Sequence, residues 1–170
     1  GSEMCIRDSQ HRVYALCRRL TGAHQSADDL AQETFVKAYF ALARFDVRWP
    51  LYPWLRRIAV NAGLNYLKAR DRERPLDDGR GGGRTGPVAA RADDPVERLE
   101  SAEFRARLDR AVESLPADQK SVFVLRLHEG LSYEEIGREL DLPLGTVMSR
   151  LNRARRRLKA LLADPPVRGA

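Results

Sequence analysis

The chain is poor in the residues that build cross-linked, metal-bound or membrane-spanning proteins. Two cysteines (Cys5, Cys17) and three scattered histidines (His11, His24, His128) show none of the spacings of a disulfide framework or a metal cluster. A reducing, cytoplasmic setting is therefore expected rather than secretion. No apolar run approaches the ~20 residues a bilayer span needs, and no secretory leader pattern is apparent. Period-two alternation of any length is missing, which leaves an all-α fold. Catalytic groupings are missing too: there is no Ser/His/Asp or Cys/His set and no paired carboxylates. GRGGGRTG lacks both the Gly-Lys-Ser/Thr ending and the preceding strand of a phosphate loop. Neither an enzyme, a cofactor nor a metal is expected.

What the chain does have is basic charge, placed unevenly. The net charge is +6 over 170 residues. Residues 96–143 carry 7 Lys+Arg against 11 Asp+Glu, whereas 144–170 carry 7 against 1, a surplus equal to that of the whole chain. A basic stripe confined to one element suits a polyanion.

Glycine and proline gather in RDRERPLDDGRGGGRTGPVAARADDP, residues 70–95, with almost no large apolar side chain. This segment reads as a solvated linker, assigned to 75–95. It separates a helical unit at 10–74 from a second at 96–163. The opening GSEMCIRDS has no helical period and is set aside from the fold expectation.

In the first unit HRVYALCRRLTG should stop at Gly22. A second helix, DDLAQETFVKAYFALARF, should be capped by Ser26 or Asp28. On a wheel Ala31, Phe35, Tyr39 and Leu42 form its buried stripe, with Leu30, Glu33, Lys37 and Ala41 facing away. Pro50 and Pro53 predict an aromatic-rich loop over DVRWPLYPW before a third helix, LRRIAVNAGLNYLKARDR. Aromatic residues alternate there with cations, as a protein needs to stack unpaired bases beside phosphate contacts, although a core role for Trp54 fits the composition equally well. Asn61 and Asn65, one turn apart, can each donate to and accept from a base edge.

The second unit predicts four helices. SYEEIGREL opens with a capping box, Ser132 with Glu135. It is followed by the turn DLP and then LGTVMSRLNRARRRLK, which together make a helix-turn-helix. In the last helix Leu144, Val147, Leu151, Ala154 and Leu158 fall on one side. Thr146, Ser149, Asn152, Arg153 and Arg156 fall on the other, as groups that hydrogen-bond base edges and phosphates in a major groove. Arg155, Arg157 and Lys159 flank that face.

SADDLAQETFVKAYFALARF, PWLRRIAVNAGLNYLKAR and LPADQKSVFVLRLHEGLSYEEIGRELDLPLGTVMSRLNRARRRL, in that order, resemble the extracytoplasmic-function sigma factors of bacterial RNA polymerase. The resemblance covers residues 11–70 and 96–160 and implies two domains, sigma-2 and sigma-4. It implies that Asp29, Gln32 and Glu33, with Asp28 as a further candidate, dock on the beta-prime clamp helices. It implies that Asn61 and Asn65 read the melted minus-10 element, with Trp54 walling the base pocket and Arg56 and Arg57 on phosphates. Ser149, Asn152 and Arg153 would read the minus-35 duplex, and sigma-4 would also pack on the beta flap. Core polymerase, promoter DNA and an anti-sigma factor are the implied partners. Relative to the family pattern the first helix is expected to be shortened, starting near His11, and Met148 and Asn152 depart from common relatives.

Three rival readings remain at this point. An autonomous helix-turn-helix regulator would bind its operator without polymerase and leaves DDLAQE without a task. A sigma mimic that titrates an anti-sigma factor would have no use for Asn61 and Arg153. A truncated, inactive sigma fragment would fail to fold over residues 10–74.

Overall fold

In the computed structural model residues 2–74 and 95–163 are described, with side chains from Ile6 to Arg74 and from Ser101 to Ala163. Seven α-helices account for most of them: α1 (Ser2–Thr21), α2 (His24–Ala41), α3 (Leu51–Glu73), α4 (Pro95–Glu113), α5 (Ala117–Leu127), α6 (Tyr133–Leu140) and α7 (Leu144–Ala163). No strand occurs among the described residues, as expected. The expected linker lies outside them, except for Pro95, which opens α4.

Local stop signals act where the sequence put them. Gly22 and Gly130 adopt φ of +77° and +67°, the left-handed conformation that ends a helix without a Cβ penalty. Other boundaries differ from expectation. Helix α1 begins at Ser2, running back through the segment that showed no helical period. Helix α2 starts at His24 with Ala23 as N-cap and no side-chain cap, so neither Ser26 nor Asp28 caps it. Helix α3 begins at Leu51, inside the expected loop. Pro53 is accommodated because it falls in the first turn, where its missing N–H has no intrahelical partner to lose.

Helices α1, α2 and α3 bury Val13, Leu16, Leu20, Leu30, Leu55 and Val60 between them. The phase of α2 differs from the wheel. Leu30 is buried, Tyr39 is 72% exposed and Leu42 is 53% exposed. Small and large apolar residues surround this helix on most sides, and Thr34, buried with its hydroxyl donated to the Leu30 carbonyl at 2.8 Å, completes the inward face.

The helix-turn-helix forms as the sequence implied. The Glu135 N–H donates to Ser132 Oγ at 3.1 Å, and the Ser132 N–H donates to Glu135 Oε2 at 3.3 Å. Asp141 takes φ of 54° at the end of α6, and the Leu142 N–H returns to the Gly137 carbonyl at 2.8 Å. The turn folds so tightly onto α6 that a Cβ at Gly137 would lie 2.9 Å from the Leu142 carbonyl oxygen. Val147, Leu151, Ala154 and Leu158 are buried as expected, but Leu144 in the first turn is 46% exposed.

The two units pack against each other, a feature with no local sequence signature. Buried residues of α5, α6 and α7 continue the core of the first three helices. The seam is edged by polar links. Tyr52 OH donates to both carboxylate oxygens of Glu129 at 2.9 Å. Arg19 donates to His128 Nε2 at 3.1 Å. Arg56 pairs with Glu139 at 3.0 Å. Burial and the Arg19 charge hold the His128 pKa down at about 4, which keeps its ring a neutral acceptor. Helix α5 has Pro116 at its N-cap and no cap from within its own unit; its Ala117 N–H donates to Asp71 Oδ2, from α3, at 2.8 Å.

Candidate nucleic-acid interface

Helix α3 presents Arg57, Asn61, Asn65 and Lys68 to solvent. The spacing of four, four and three puts them on one stripe. Neither asparagine side chain is hydrogen-bonded within the chain among the described residues, so both amides are free to donate and accept. Trp54 borders this stripe, half-buried, with its ring 4.7 Å from that of Phe45 at 35°. It is therefore packed against the core and also partly at the surface. Trp49, at the start of the same region, is exposed.

Arg56 does not join that stripe. It lies about 100° around the helix from Arg57, and its guanidinium forks onto Glu139, Nε to Oε1 at 3.0 Å and the second nitrogen to Oε2 at 3.4 Å. The two side chains are only 13% and 10% exposed. Of the five residues proposed for opened DNA, the structure brings together Trp54, Arg57, Asn61 and Asn65 and turns Arg56 into the seam.

On α7 Ser149, Asn152, Arg153 and Arg156 are exposed and Thr146 is half-buried. Ser149 Oγ donates to the Thr146 carbonyl at 3.0 Å, which turns that hydroxyl's proton back onto the helix and leaves its lone pairs outward. Arg150 reaches Asp118 at 3.8 Å. Among the described residues no carboxylate pairs with Arg153, Arg155, Arg156, Arg157 or Lys159, so the second helix of the motif offers a cationic face with nothing neutralising it.

The acidic segment of α2 is exposed at Asp28, Asp29, Gln32 and Glu33. Gln25 donates to Asp29 at 3.3 Å, and Lys37 pairs with Glu33 at 2.7 Å. The sequence reading missed what continues this face: Val36, Tyr39 and Phe40 are exposed, the last two in edge-to-face contact at 5.7 Å. The signal available was the apolar character of α2 on nearly every side, more than one core stripe can bury.

Among the described residues no group of three metal-binding side chains occurs, and no helix is long and apolar enough to cross a membrane. The second helix of the helix-turn-helix is exposed and, among the described residues, unneutralised, which marks the class of DNA-binding proteins; a stripe of unengaged amides lies separately on α3. Residues 5–73 match the family model for sigma-70 region 2, and residues 105–158 match that for sigma-70 region 4. The RNA polymerase sigma-H factor of Pseudomonas aeruginosa is 37% identical over 157 residues, spanning 90% of this chain and 81% of that one. The ECF RNA polymerase sigma-E factor of Escherichia coli is 40% identical over 150 residues, spanning 86% and 78%. Among solved structures, the sigma factor RpoE of Bartonella quintana in complex with the anti-sigma factor NepR superposes with a TM-score of 0.66 at 27% identity, over 96% of this chain and 98% of that one. CnrH in complex with the cytosolic domain of CnrY gives 0.59 at 30%, over 96% and 88%. The chain belongs to the extracytoplasmic-function sigma factors, the subunits that direct RNA polymerase to promoters.

Proposed function

We propose that the two units divide promoter recognition between melted and paired DNA. The α3 stripe takes the opened minus-10 strand, with Asn61 and Asn65 on base edges, Trp54 beside the base and Arg57 on phosphate. Helix α7 enters the major groove of the minus-35 duplex with Thr146, Ser149, Asn152, Arg153 and Arg156. The exposed face of α2, through Asp29, Gln32 and Glu33, docks on the beta-prime clamp helices, and the second unit rests on the beta flap. The observation that supports this most directly is the pairing in one chain of a cationic groove-sized helix with a separate row of unengaged asparagines. Duplex binding alone gives no use for the second.

Opening DNA costs a few kcal/mol per unstacked step, offset by about 1–3 kcal/mol per base stacked on an aromatic side chain and by polymerase contacts. No chemistry on the substrate is required, so the protein acts by binding and not as an enzyme, in the cytoplasm where the polymerase works. The solved RpoE was captured with an anti-sigma factor, and a partner of that kind is proposed here too.

In transcription from a promoter pool with core polymerase, Asn61→Ala should lower open-complex formation while core binding is unchanged. Arg153→Ala should weaken minus-35 duplex binding by about 1–3 kcal/mol. Parallel loss of core binding in Asn61→Ala would make Asn61 a structural residue and overturn its assignment.

A further inference from the structure

The outward side of α7 changes chemistry along its length. Leu144, Met148, Asn152, Arg155 and Lys159 are all exposed, and their spacing of four, four, three and four keeps them on one stripe. That stripe is apolar at its first two positions, carries an amide at the third and is cationic at the last two. Met148 is 45% exposed, much like Leu144. The inner face needs neither of them, since Val147, Leu151, Ala154 and Leu158 already fill it.

Gly145, next to Leu144 on the same side, is exposed as well. It is helical, without a positive φ, and a Cβ there would meet no atom within 4 Å. Neither the backbone nor the packing of the chain asks for glycine, and glycine weakens a helix relative to alanine. A missing side chain is useful here only toward something outside the chain that comes close.

A recognition helix enters the major groove with its N-terminal residues on base edges. Those edges offer donors, acceptors and a single apolar group, the C5-methyl of thymine. Arg155 and Lys159, about two and three turns further on, meet the phosphates that flank the groove. We infer that Met148, with Leu144 behind it, reads the C5-methyl group of a thymine in the minus-35 duplex. The inference rests on the minus-35 reading of α7 and adds an apolar reader to its polar ones. Met148 and Asn152 are one turn apart, about 6 Å along the axis, and base pairs stack every ~3.4 Å. The thymine therefore lies within about two base pairs of the base that Asn152 contacts. A thioether on a flexible stem moulds itself to a methyl group, and burying one methyl is worth about fourfold in affinity.

The test uses the full chain with core polymerase and a promoter duplex selected from a pool randomised over the minus-35 element. Each thymine of the selected element is replaced in turn by deoxyuridine, which pairs identically and lacks only the methyl group. The parent should lose about fourfold in affinity at one thymine, within about two base pairs of the pair at which Asn152→Ala relaxes selection. Met148→Ala should bind the thymine duplex about fourfold more weakly and no longer distinguish it from the deoxyuridine duplex. Met148→Leu, which keeps the apolar bulk, should retain the distinction. A general disturbance of the helix would weaken both duplexes alike and leave the methyl preference in place. A selected element without thymine, deoxyuridine tolerated everywhere, or a preference that survives Met148→Ala would each overturn the inference. Arg153→Ala separates the two levels. Selection that depends on Arg153 but tolerates deoxyuridine throughout sinks this inference alone, whereas no selected element, or affinity indifferent to Arg153, sinks the minus-35 reading itself.

Discussion

Lys120 allows the energetics of the seam to be measured. It is fully buried on α5, its Nζ has no hydrogen-bond partner among the described residues, and its charged neighbours are Arg70 and Asp71 of α3, Arg74 just beyond that helix and Glu113 of α4. Burial first, and then Arg70, lower its pKa from 10.5 to about 7. The folded chain therefore binds fewer protons than the unfolded chain between about pH 7 and 10.5, and stability must rise with pH through that window. At neutral pH the depressed proton affinity costs the fold roughly 4 kcal/mol, and moving to about pH 9 should recover roughly 2 of these. Above about pH 9 the climb flattens and above about pH 10 it reverses, because folded Cys17 and folded Tyr52 keep protons that the unfolded thiol and phenol release. Lys120→Met keeps the volume and removes the charge. It should stabilise the protein at pH 7 by about 2 kcal/mol, less than the full cost because Glu113 loses a neighbouring cation. Urea midpoints measured from about pH 7 to 9 should climb for the parent and stay nearly level for Lys120→Met. Parallel slopes for the two proteins would refute the account.

Two further outcomes follow from local geometry. Ser132→Ala removes one half of the capping box and should cost about 1 kcal/mol, seen as a lower urea midpoint together with weaker minus-35 duplex binding, because α6 braces the turn into α7. Burial pushes the Cys17 thiol up to about 12, so iodoacetamide at mildly alkaline pH should leave Cys17 unmodified in the folded chain and alkylate it in urea, as peptide mapping would show.

The parts of this fold legible in the sequence are those determined within a few residues. Gly22 and Gly130 ended helices where a left-handed residue was needed, and Ser132 with Glu135 formed their reciprocal cap. Four of the five apolar positions assigned to the inner face of α7 pointed inward, because most of the remaining residues between Leu144 and Lys159 are polar. On α2 the same wheel held only in part: Ala31 is buried and Glu33 and Lys37 are exposed as expected, but Tyr39 and Leu42 were expected inside and are exposed, and Leu30 was expected outside and is buried. A helix apolar on most sides has no unique phase until its neighbours choose one. Pro53 misled in another way, since proline stops a helix interior but suits a first turn. The candidate readers Asn61 and Asn65 were legible because their one-turn spacing alone puts them together. Arg56 was not separable from Arg57 by sequence, and what distinguishes them is Glu139, a partner far along the chain that only the packed units bring near.

Helix α5 starts at a proline and borrows the acceptor for its first free N–H from Asp71 in the other unit. Parting the halves strips that helix of its lid, a loss of about 1 kcal/mol for a capping group. The extended chain is thus the frailer one, and whatever grips it, polymerase or promoter, acts as a splint as well as a destination.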